Sequence, residues 1–116
     1  MKRTATTKPL TVETSFNTFR QKSHIINFDV VELEDGSYEF ESIEIAPGQF
    51  NYDSIVDALV SSRYPSSKME AIVNNYLAIS LREPDPELDS VITEEMRQMQ
   101  SWRTKSKEIA RQALEK

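Results

Sequence analysis

The sequence predicts an α+β fold: a β-hairpin or small antiparallel sheet packed against two or three helices, with an extended N-terminal arm and a long C-terminal helix. Three observations carry this. Two runs rich in β-branched and aromatic residues, Ile25–Leu33 and Tyr38–Ala46, flank Asp35-Gly36, the strongest short-range hairpin signal. Apolar residues at Met69, Ile72, Val73, Tyr76 and Leu77 follow the spacing of a helix that buries one face. A second such stripe, Ile92, Met96, Met99, Trp102, Ser106, Ile109, Ala110 and Ala113, is long enough for one helix to the C-terminus.

With 116 residues, the chain is the size of one domain, divided here into an arm over 1–24 and a single α+β domain over 25–116. There is no cysteine, so disulfides and thiolate metal sites are excluded. No apolar run reaches the roughly 18 residues of a membrane span. The net charge is −5 and is strongly segregated. Residues 1–24 carry +4, 25–60 carry −9, 61–80 carry +1, 81–100 carry −4 and 101–116 carry +3. Blocks of alternating sign fit internal pairing of the ends with the middle, or contact between copies. The acidic total disfavours nucleic acid as a partner.

In the arm, Leu10, Val12 and Phe16 sit at even positions between polar residues, a weak period-2 pattern. It reads as a frayed terminus or as a strand added to a sheet edge, the chain's own or a neighbour's. In the hairpin the alternation slips. Ile26, Phe28 and Val30 share one phase, then Val31 and Leu33 take the other; Tyr38 and Phe40 precede a similar change to Ile43 and Ile45. A bulge, or a twist that buries both faces in turn, would explain the slip. Ala46-Pro47-Gly48 ends the second strand.

Asn51 opens a helix with Ile55, Val56, Leu59 and Val60 inward and Asp53 in its first turn, and Pro65 closes it. Pro65–Leu81 follows as the helix expected to form the core, with Ser67 and Glu70 as a capping box. Residues 82–88, with Pro84 and Pro86 among acids, read as a linker. Asp89 or Ser90 then caps the last helix, which runs to about Glu115. At 1.5 Å per residue it spans roughly 37 Å, beyond a compact domain whose radius of gyration is about 13 Å. Overhang makes Met96, Met99 and Trp102 candidate partner-binding residues, together with Leu10, Val12 and Phe16 of the arm.

Enzyme chemistry finds no footing, and the chain reads as a non-enzyme without cofactor or metal. His24 is the single imidazole, with no nucleophile motif beside it. The carboxylates read as a solvated acidic face, since acid–base work needs an environment that separates their pKa values. Gly36 and Gly48 are the only glycines, so no phosphate-cradling loop exists. A helix-turn-helix over 51–81 would offer Lys68 alone as a cation on its second helix. Arg103, Lys107 and Arg111 read as complements to a helix C-terminus.

The segment Ser62-Arg63-Tyr64-Pro65-Ser66-Ser67-Lys68-Met69-Glu70-Ala71-Ile72-Val73-Asn74-Asn75-Tyr76-Leu77, followed by Met99-Gln100-Ser101-Trp102-Arg103, resembles small uncharacterised proteins of phage and prophage gene clusters over about residues 25–116. The resemblance implies a structural or adaptor subunit of tail, baseplate or capsid. Its partners would be virion or assembly proteins, including copies of itself, in the virion or host-cell cytoplasm. It assigns no functional residues. The competing reading is a small regulator that binds nucleic acid or a host protein.

Overall fold

The computed structural model describes residues 2–16 and 19–115. The α+β class holds: strands β1 (Lys2–Ala5), β2 (Val12–Phe16), β3 (Lys22–Glu32) and β4 (Tyr38–Ile45) precede helices α1 (Tyr52–Arg63), α2 (Ser66–Ala78) and α3 (Pro86–Leu114). A single 3-10 turn, Ile79–Leu81, follows α2. The strands form one antiparallel sheet in the order β1-β4-β3-β2.

The β3–β4 hairpin closes as its sequence requires. Gly36 adopts φ 85°, a conformation that costs a glycine little, and Asp35 accepts from both the amide and the hydroxyl of Ser37. The expected bulge is present, on β3: the register shifts between Phe28 and Val31, with Asp29 at φ 54°. Asp29 and Val30 together oppose Phe40. Strand β4 keeps its alternation, and its apparent slip has another cause. Ile43 and Ile45 face the helices beside Ile26 and His24, whereas Phe40 is buried on the opposite face beneath the Arg3 guanidinium, 5.6 Å from the ring centroid.

That opposite face is covered by the N-terminal segment, whose strands take the two edges of the chain's own sheet. β1 pairs with β4 and β2 with β3, so residues 6–11 must cross between edges. The crossing is pinned by Asn27, whose Nδ2 donates to the Leu10 carbonyl (2.7 Å) and to Glu13 Oε2 (2.6 Å). Asn27 Oδ1 accepts from the Ser42 hydroxyl (2.7 Å), and its amide donates to the Thr11 carbonyl. Asn27 is buried, and this set of partners is what makes that burial affordable in a low-dielectric site. The boundary drawn at residue 24 therefore falls inside β3, and the arm is built into the sheet.

The helices pack on the other face. Asn51 caps α1, its side chain accepting from the Ser54 amide, and Ile55 and Leu59 are fully buried. The core joins Ile26, Phe28, Ile45, Ile55, Leu59, Trp102, Ile109, Ala110 and Ala113. α3 is the organising helix, in place of α2. α2 buries only Ile72, because it packs chiefly on α3 and one neighbour covers a narrow stripe. Tyr76 and Leu77, expected inside, are exposed, Leu77 by 60%. Nor does Ser67 cap α2: the helix starts at Ser66, after Pro65, with no side-chain cap bond.

α3 begins four to five residues earlier than its sequence suggested. Asp85 is the N-cap, accepting from the Leu88 amide, and Pro86 occupies the first turn, where its missing N–H costs nothing. Toward its end the inward positions shrink to Ser106, Ala110 and Ala113, all buried. Small side chains there let the helix lie close to α1 and the sheet. The molecule measures 56 × 38 × 25 Å with a radius of gyration of 17.8 Å, well above the roughly 13 Å of a compact chain of this length.

Candidate interaction surface

The six residues singled out from sequence divide in two. Leu10 and Phe16 are exposed and Met96 is half-buried. Val12 is half-buried against the core. Met99 and Trp102 are corrected: both lie in the interior, Trp102 with 4% of its surface exposed. The Trp102 indole N–H donates to the Leu59 carbonyl at 2.9 Å, its ring tilts against Phe28 at 5.9 Å, and the Arg63 guanidinium stacks on it at 3.7 Å. No face of Trp102 is left for a partner.

The β3 bulge explains a charged cluster at the same place. By turning Asp29 out of the strand, it lets that carboxylate meet Lys105 of α3 and Arg63 of α1, the latter at 3.6 Å. Arg63 also pairs with Glu41 at 2.6 Å. These side chains are partly exposed, so each pair contributes about 1 kcal/mol or less. Their effect is to tie the ends of α1 and the middle of α3 to the sheet. A cleft of about 340 Å³ opens beside them, lined by Arg63, Arg97, Lys105 and Trp102 among others. All three cations have carboxylate partners, Arg97 with Glu94. That contact holds the Glu94 carboxyl down at about 2.

His24 faces the helices and stacks on Phe50, with ring centroids 3.9 Å apart. Its Nδ1 is buried with no hydrogen-bond partner among the described residues. Removal from water, and then the charge of Lys22, lower its pKa. A neutral ring stacked on an aromatic is a packing element. Among the described residues, no group of three or more His, Asp or Glu side chains is placed to hold a metal, and no helix is long and apolar enough to cross a membrane.

Apolar surface concentrates where α2 turns into α3. Tyr76, Leu77, Leu81, Leu88 and Val91 are all exposed, Leu81 by 86%. α2 rests chiefly on α3. On one flank, α1, α2 and α3 enclose a groove of about 240 Å³ whose walls include Val60, Val73 and Met99 and whose rim carries Asp57, Arg103 and Lys107. No protein-family model, curated protein or solved structure matches the chain. The surface itself therefore carries the functional reading. Leu77, Leu81, Leu88 and Val91 were not recognised from sequence as exposed. Their spacing gives no warning: at 100° per residue Leu88 and Val91 lie within about 20° of Met99 and Trp102, on the buried face of α3.

Proposed function

We propose that the chain is a structural or adaptor subunit of a phage virion, part of the tail, baseplate or capsid, acting through protein–protein contacts and without catalysis. The observation that carries this is the end of α2 and the start of α3, where five large apolar side chains between Tyr76 and Val91 are exposed. Monomeric proteins rarely expose contiguous apolar surface of this kind unless a partner covers it. The resemblance to small phage proteins supplies the setting, and the helical end supplies the contact.

The test is incorporation. Particles produced by the genome that encodes the chain are purified with the wild type or with Leu77→Asp/Leu81→Asp, and the chain is detected in them. Both positions are exposed, so the double variant keeps its melting temperature while leaving the particles. A variant that is incorporated as well as the wild type removes the helical end from the contact. A wild type absent from particles removes the virion.

A further inference from the structure

Along α3, Asp85, Asp89, Met96, Arg103 and Lys107 succeed one another at intervals of 4, 7, 7 and 4 residues. At 100° per residue they fall in a stripe roughly 40° wide. The stripe is palindromic in spacing and antisymmetric in charge: two acids on one side of Met96, two cations on the other. It lies next to the buried line of Ile92 and Met99, and its basic half, Arg103 and Lys107, borders the groove between the three helices. Asp85, Arg103 and Lys107 are exposed, and Asp89 and Met96 are half-buried.

We infer that this stripe pairs with the same stripe of a second copy, the two α3 helices running antiparallel about a two-fold axis at Met96. The inference rests on the reading of the chain as an assembly subunit and names one of its partners. In that register Asp89 faces the partner's Arg103 and Asp85 the partner's Lys107. The symmetry doubles both, giving four contacts of opposite sign. An isologous contact closes on itself, so the product is a dimer and not a filament. Seven-residue spacing keeps Asp89, Met96 and Arg103 on one face of the helix.

Within one chain the basic half of the stripe is left without an ion-pair partner, whereas Asp89 already has one. Arg103 and Lys107 form no ion pair among the described residues. Asp57 of α1 shares their groove and offsets one charge, and Arg82 pairs with Asp89. The acidic and basic ends of the stripe are held about 21 to 33 Å apart by the helix that carries both, beyond two screening lengths at physiological salt. A second, inverted copy brings them together. Apolar area flanks the axis: Met69 and Val73 of α2 border the groove, and exposed Leu77 continues their row toward Met96.

Sedimentation velocity over a concentration series, with complementary charge reversals, tests this. The wild type sediments as a dimer whose dissociation constant rises with salt. Arg103→Glu and Asp89→Lys each weaken self-association by roughly tenfold or more, since each turns two attractive contacts repulsive. Mixing the two variants restores the dimer, because each supplies what the other needs; this recovery also shows that both are folded. The chain has no cysteine, so Met96→Cys introduces a single thiol at the axis. Mild oxidation then yields a covalent dimer, whereas Gln98→Cys, on the other side of α3, does not. A monomeric wild type, no recovery on mixing, or equal cross-linking at both positions overturns the pairing. A monomer that still enters particles overturns only the pairing and leaves the assembly role standing.

Discussion

Replacing Trp102 separates a core residue from an interface residue. Truncation to alanine removes a ring buried against Phe28, loses the hydrogen bond from its N–H to the Leu59 carbonyl and leaves the Arg63 guanidinium without its platform. Large-to-small substitution of a buried aromatic costs about 3–5 kcal/mol. Domains of this size have about 5–15 kcal/mol in total, so Trp102→Ala leaves a folded but weak protein or none. Trp102→Phe keeps most of the volume and loses one hydrogen bond, at about 0.5–1.5 kcal/mol, since the Leu59 carbonyl still accepts from the Ser62 hydroxyl. Urea denaturation followed by circular dichroism ranks the three proteins; fluorescence will not serve, because Trp102 is the only tryptophan. The expected order of midpoints is wild type, Trp102→Phe, Trp102→Ala. Unchanged midpoints together with weakened association would refute the assignment of Trp102 to the interior.

Three further outcomes follow from the same structure. Leu77→Asp changes the melting temperature little, within about 0.5 kcal/mol in stability, whereas Ile72→Asp, at the buried position of α2, unfolds the helix from α3; thermal melts compare them. Deleting residues 1–18 removes both edge strands and the Leu10, Thr11 and Glu13 partners of Asn27, so the truncated chain loses cooperativity in urea instead of folding as before. His24 has a lowered pKa in the folded state, so the folded form favours the neutral ring. Its contribution is present above the unfolded value of about 6.5 and is lost as pH falls from there through the folded value. His24→Phe flattens stability against pH in that interval, read by denaturation midpoints.

How much of this was legible in the sequence depended on whether local or tertiary forces decided each element. The hairpin was legible because Asp35-Gly36 dictates its own turn. The bulge was legible because a break in alternation has few causes. The choice of central helix was not. α2 has a clean apolar stripe, yet a stripe says only what could be buried, and the short Pro65 turn leaves α2 lying on α3. α3 looked weak toward its end because Ser106, Ala110 and Ala113 are small, and small residues mark the closest approach as readily as a fading core. Its start was hidden by Pro84 and Pro86, although proline is tolerated in a first helical turn. Of the three candidates on α3, Met96 alone is half-buried and not interior. Met99 and Trp102 share its stripe but face inward, a difference set by where α1 and the sheet meet α3.

The charge blocks of the sequence resolve differently at the two ends of the chain, and the difference bears on assembly. The basic N-terminus reaches the acidic hairpin within the molecule: Lys2 pairs with Glu39 at 3.0 Å, and Arg3 lies over Phe40. The crossing over 6–11, pinned by Asn27, permits this, because it carries β1 and β2 to opposite edges. The second reversal, −4 over 81–100 and +3 over 101–116, lies on one rigid helix. A helix cannot fold back on itself, so its acidic start and basic end never meet within the chain. Placing acids at the N-terminus and cations at the C-terminus complements the helix dipole, but only within the first and last turns. Arg103 and Lys107 stand two to three turns before the end, too far for the dipole to account for them. An inverted second copy answers both charges at once, with Met96 where the two helices cross.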